Sequence, residues 1–147
     1  MVRVGGRLLG WATEEVAEVF APTGVTPLPE AVPHLLGATF HRGRPLTVVD
    51  TASLVGEPPS AEPPRLLVRL APPRGHLAFS LDTVEAVVPY NELDLRDEAS
   101  GALWAGLYPW DEQWVSVLRG GPAAAELDRA LADRAVREHP GRTSDGR

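Results

Sequence analysis

The stretch EEVAEVFAPTGVTPLPEAVPHLLGATFHRGRPLTVVD, residues 14–50, sets the fold class. Thr13, beside Glu14 and Glu15, is placed to cap one helical turn that leads into a short apolar run ending at Phe20. Pro22, Pro27, Pro29 and Pro33 then fix φ and remove backbone donors, so no regular element is expected before about His34. Leu35 to Phe40 and Pro45 to Val49 are apolar runs of strand length, and His41-Arg42-Gly43-Arg44 between them is the short glycine-containing connection that closes a hairpin. Asp50 ends the second run.

Working outward, Val2 to Trp11 is short and apolar and is broken by Gly5-Gly6, as a strand or a tight hairpin would be. Ala52 to Gly56 has room for one helical turn, and EPPSAEPP, residues 57–64, reads as a linker and a lobe boundary. Arg65 to Leu70 is a strand candidate. In the next, Leu77, Phe79 and Leu81 alternate with Ala78, Ser80 and Asp82, which predicts one buried and one presented face. Leu103 to Tyr108 and Trp114 to Leu118 form a last hairpin around Asp111-Glu112-Gln113. Pro122 stands at a first helical position, with Ala124, Leu127, Leu131 and Ala135 on one face and Asp133 and Arg137 spaced as a helical ion pair. The sum is an all-β chain of two lobes, about 7–56 and 65–120, with a C-terminal helix over 122–138 and a tail over 139–147.

At 147 residues the chain has the size of one ordinary domain or of two very small barrels sharing an interface. No apolar run approaches the roughly 20 residues of a membrane helix, and no secretory signal develops before Glu14, so a cytoplasmic protein without membrane insertion is expected. The absence of cysteine excludes disulfides, thiolate metal sites and cysteine nucleophiles. A net charge of −6 argues against general affinity for nucleic acid and leaves a local basic patch at Arg42 and Arg44.

Candidate chemistry is sparse. His76, Ser80 and Asp82 have the residue types of a hydrolytic triad and would point alike along one strand, but no nucleophile elbow surrounds Ser80. Histidines at 34, 41, 76 and 139 lack metal-ligand spacing, and GGRLLG lacks the elements of a phosphate loop, so neither metal nor cofactor is expected. Trp104, Trp110, Trp114 and Tyr108 offer stacking surface for a sugar or base, or else fill a β core or a protein interface.

The same 14–50 stretch resembles the signature half of CheW-like domains, V-x-E-V/I, a proline-punctuated loop, then h-h-x-G-h-h-N-L-R-G-x-h-h-P-h-h-D with h apolar. Val16, Glu18 and Val19 match the first element, Gly37 the glycine, Arg42-Gly43 the arginine–glycine pair and Val48-Val49-Asp50 the ending. HLAFSLDTVEAVV resembles the family's later G-h-h-V-D-x-V-x-x-V through Asp82, Val84 and Val87. Thr39-Phe40-His41 stands where the pattern has apolar-Asn-Leu, and Ala78 where a glycine is common.

The resemblance implies two five-stranded β-barrel lobes and a non-catalytic adaptor. Such an adaptor bridges a chemoreceptor signalling tip and the regulatory domain of a CheA-type histidine kinase, in chemotaxis or pilus-type signalling. On that reading Val16, Glu18, Val19, Gly37 and Arg42 lie on the partner-binding surface of the first lobe, and Asp82, Val84 and Val87 on the second. The competing readings are a small-molecule-binding or hydrolytic β-barrel and a degenerate paralogue that modulates an array.

Overall fold

A computed structural model describes residues 1–29, 31–59, 61–89, 91–96 and 103–138. Its strands are β1 (Val2–Val4), β2 (Arg7–Gly10), β3 (Val16–Phe20), β4 (Thr26–Pro27), β5 (Leu35–His41), β6 (Arg44–Val49), β7 (Leu66–Leu70), β8 (Leu77–Leu81), β9 (Thr83–Val84), β10 (Trp104–Trp110) and β11 (Gln113–Leu118). Two helices follow the longer hairpins, α1 (Thr51–Leu54) after β6 and α2 (Gly120–Glu138) after β11. The predicted helical turn at 13–15 forms, but Ala12 occupies its cap position and no side chain caps it. Asp50 does cap α1, accepting from the Ser53 N–H.

The strands form a five-stranded sheet, β10-β11-β2-β1-β9, and a six-stranded sheet, β3-β7-β8-β6-β5-β4. Neither closes on itself by backbone pairing among the described residues, which corrects the expected barrels. The proline loop also differs from expectation, because Thr26–Pro27 pairs with Gly37–Ala38 as an edge strand, where a missing N–H is tolerated.

The two sheets repeat one plan. The β5–β6 and β10–β11 hairpins each join a strand of 7 residues to one of 6. Each turns through two residues with positive φ, Arg42 and Gly43 in one, Asp111 and Glu112 in the other, the geometry whose twist matches paired strands. Each carries a bulge ending at a glycine, Gly37 or Gly106. The second strand of each hairpin then runs parallel to a strand of a short antiparallel hairpin, β6 beside β8 and β11 beside β2. That short hairpin comes from the other half of the chain. Residues 2–10 complete the sheet of β10 and β11, while residues 66–81 complete the sheet of β5 and β6. The linker at 57–64 therefore separates two halves of the chain rather than two sheets, and the expected lobes 7–56 and 65–120 exchange hairpins.

The exchange explains the core. Its largest cluster takes Val2, Leu9, Val49, Leu70, Phe79 and Leu118, with Ala123 and Leu127 of α2, so both sheets and both halves of the chain meet in it. A second cluster, Leu46, Val48, Leu67 and Ala78 with Phe20 against it, fills the concave side of the six-stranded sheet. β8 lies between the two clusters, and all five of its residues are buried. The predicted solvent face of β8 is thus a second core face, where Ala78 and Ser80 are small because Leu67, Leu46 and Val48 occupy the space. The side chains of Leu131, Asp133, Ala135 and Arg137, and all of 139–147, lie outside the described residues.

Candidate functional site

β3 is an edge strand, paired among the described residues only with β7. Between Val16 and Glu18 the register shifts, so Val16 lies opposite Leu70 and Glu18 opposite Arg69, with Ala17 left over. The extra residue reverses the alternation. Val16 packs against the core between the sheets, whereas Glu18 and Phe20 face the concave side of their own sheet. Three residues of one short strand thereby diverge: Val16 is half-buried, Val19 is exposed, and Glu18 enters a cluster of cations.

Opposite Glu18 in the ladder, Arg69 Nε donates to Glu18 Oε1 at 3.0 Å. The sheet curls far enough for the end of β5 to reach the same carboxylate, with His41 Nε2 3.1 Å from Oε1 and Arg42 Nη2 3.7 Å from Oε2. His41 also stacks on Phe20, ring centroids 3.8 Å apart and planes 17° from parallel. Side chains thus close a gap that the backbone leaves open. Burial pushes the Glu18 carboxyl up, but the hydrogen bond from Arg69, the close approach of His41 and the charge of Arg42 outweigh it and hold the group below its ordinary range. Glu18 stays ionised in this setting.

The two arginines differ in kind. Arg69 is largely covered and bound to Glu18, while the Arg42 side chain is 79% exposed and its contact with Glu18 is long. Arg42 sits at φ 52° in the two-residue turn, a region few non-glycine residues adopt. A cation is held out on a fixed turn beside exposed Phe40, with Val19 next to Glu18 on the edge strand.

The remaining expected site residues are placed elsewhere. Gly37 is buried at φ 153°, and a Cβ there would sit 2.0 Å from the Thr26 carbonyl oxygen, so its absent side chain is what lets β4 approach β5. Asp82 accepts from the Gly5 N–H at 2.8 Å and holds the β1–β2 turn. Val84 lies opposite Val2 on β9, the edge strand that matches β3 in the repeat, and both it and Val87 are exposed. Val87 borders a cleft of about 540 Å³ with Trp11, Glu14, Tyr108 and Val115.

The triad residues do not converge. Ser80 is buried and its Oγ accepts from the Thr51 N–H, His76 is exposed, and Asp82 is engaged with Gly5. The tryptophans separate as well: Arg7 lies over the Trp104 ring at 4.5 Å, Trp110 packs on the cluster of Leu8, Val115 and Val117, and Trp114 is exposed. No group of metal-ligating side chains forms among the described residues, and no helix is long and apolar enough to cross a membrane. The residues that sequence reading missed are His41, Phe20 and Arg69. A lone arginine in the apolar run LLVRL was the available signal for the last.

The model of the CheW-like domain matches residues 1–121. No curated protein matches the chain. Among solved structures, the scaffolding protein TtCheW from Thermoanaerobacter tengcongensis has a similar fold, with TM-score 0.72 and 18% identity over 81% of each chain. With its two sheets and a match that spans residues 1–121, the chain belongs to the CheW-like domain family.

Proposed function

We propose that this chain is a non-catalytic adaptor of chemotaxis or pilus-type chemosensory signalling, joining a chemoreceptor signalling tip to the regulatory domain of a CheA-type histidine kinase in the cytoplasm. The observation that carries this reading is the Glu18 cluster. Its net charge is positive with Arg42 and Arg69 against one carboxylate, Arg42 is left reaching into solvent, and apolar Phe40 and Val19 lie exposed nearby. Such a surface suits a protein partner that presents a carboxylate among apolar side chains, since a fixed guanidinium binds a carboxylate through two parallel hydrogen bonds.

Val16, Glu18, Val19 and Gly37 support this first docking face, Val16 and Gly37 from below. Asp82, Val84 and Val87 belong to a second face at the equivalent edge of the other sheet, where the apolar cleft beside Val87 has room for one side of a receptor helix. The hydrolytic reading is disfavoured by Ser80, whose hydroxyl is committed to the α1 backbone inside the core.

The test is binding of the chain to a CheA-type regulatory domain and to a receptor tip by calorimetry. Arg42→Asn removes the cation while keeping a residue suited to positive φ, and it should weaken binding roughly tenfold or more, the value of one charge-assisted hydrogen bond. Unchanged affinity removes Arg42 from the interface, and no binding to any cognate partner removes the adaptor reading. A reconstituted kinase assay separates a working coupler from a paralogue that binds without activating.

A further inference from the structure

His41 stands where the family pattern has an apolar residue, and it falls inside the charged cluster rather than beside it. We infer that His41 is a proton-controlled partner of Glu18, and that its protonation frees Arg42 for a carboxylate on the docking protein, so that docking at this face tightens on acidification. The inference rests on the adaptor reading for its partner, but its mechanism lies wholly within this chain.

The charged and titratable groups facing His41 come from each neighbouring element: Glu18 from β3, Arg69 from β7, Arg42 from the turn, and Arg44, its ladder partner, from β6. Phe20 covers the ring face. With His41 neutral, Glu18 balances one arginine fully and holds the second through the 3.7 Å contact. Nε2 is buried and lies 3.1 Å from Oε1 outside good hydrogen-bond geometry, so the neutral ring gains little there.

A proton on the ring changes both terms. The imidazolium attracts the carboxylate at short range within a half-buried site, where charges act more strongly than in water. It also gains attraction to the Phe20 face. Glu18 is then satisfied by Arg69 and His41, and the long Arg42 contact becomes dispensable. The cluster, formerly one positive charge in excess, carries two. Both changes favour an anionic partner surface.

Two measurements decide the matter. In the free protein, an NMR titration from pH 8 to 5 should show the Arg42 guanidinium resonances moving with the His41 ring, and Glu18→Gln should abolish that coupling. Arg42 resonances indifferent to the His41 titration overturn the inference without any partner being present. For the complex, affinity for the kinase regulatory domain should rise about fivefold between pH 7.5 and 5.5. His41→Gln and His41→Leu, the second restoring the family's apolar residue, should flatten that dependence. A slope retained in both folded variants also overturns it. Absence of binding at either pH counts against the adaptor reading, while the titration of the free protein still judges this one.

Discussion

Replacing Gly37 by alanine tests the fold and the docking face together. The added Cβ would lie 2.0 Å from the oxygen and 2.8 Å from the carbon of the Thr26 carbonyl, and 3.0 Å from Pro27 Cα. These are backbone atoms of β4, so no side chain can swing aside, and φ 153° is itself poorly suited to an L residue. Relief requires β4 to leave β5, which forfeits the Thr26–Ala38 and Pro27–Gly37 pairing and the bond from Thr39 Oγ1 to the Gly24 carbonyl. Backbone strain of about 1–3 kcal/mol and a similar overpacking term add to about 2–6 kcal/mol. For a domain of this size that corresponds to a fall in Tm of roughly 5–20 °C. Two other glycines calibrate the effect. Gly106→Ala meets the Arg96 carbonyl oxygen at 2.8 Å at a similar φ, and Gly5→Ala meets nothing within 4 Å and carries only its positive φ. Urea unfolding followed by tryptophan fluorescence should rank the losses Gly37 above Gly106 above Gly5. A Gly37→Ala protein no less stable than Gly5→Ala would refute the close-approach argument and return Gly37 to the docking surface.

Acid should act on Glu18. Its carboxyl is held below the ordinary value, so its contribution to stability is complete above that value and is lost as pH falls through it to the lowered one. Glu18→Gln should therefore flatten stability against pH between about 5 and 3 in urea titrations, and an unchanged acid limb would deny the cluster any part in folding. The exchanged hairpins predict fragment complementation. Fragments 1–60 and 61–147 should each be largely unfolded by circular dichroism and should recover the β spectrum on mixing. A stably folded 1–60 alone would contradict the exchange, because that fragment lacks β7 and β8 of its own sheet.

Local features were the legible ones. The β5–β6 hairpin announces itself through apolar runs around Arg42-Gly43, and β10–β11 follows from the same logic because turn chemistry acts over a few residues. Glu18 and Arg42, singled out by the resemblance, approach each other to 3.7 Å. What escaped depends on distant pairing. The parallel contacts of β6 with β8 and β11 with β2 leave no local trace, so a proline-rich linker was read as a boundary between lobes. Ala78 and Ser80 look like solvent positions by period, and only the second core cluster shows otherwise. Asp82, Val84 and Val87 align with the family pattern, yet they lie at or beside the edge of the other sheet, away from Glu18.

The unpaired Ala17 has a consequence of its own. Because one uncounted residue separates Val16 from Glu18, the phase of the strand, and not only the identity of its residues, decides which side chains meet the interior and which meet the carboxylate cluster. Deleting Ala17 would remove the bulge yet leave Val16 opposite Leu70 and Glu18 opposite Arg69, each on its present face, whereas drawing Ala17 into the ladder would carry Val16 to the face of Glu18 and strip the central core of a contact. A gap at Ala17 costs the bulge and keeps the displayed surface, so relatives aligned with a gap at this one residue share the docking face. A gap at a paired residue of the strand shifts the phase and turns every side chain before it to the other side.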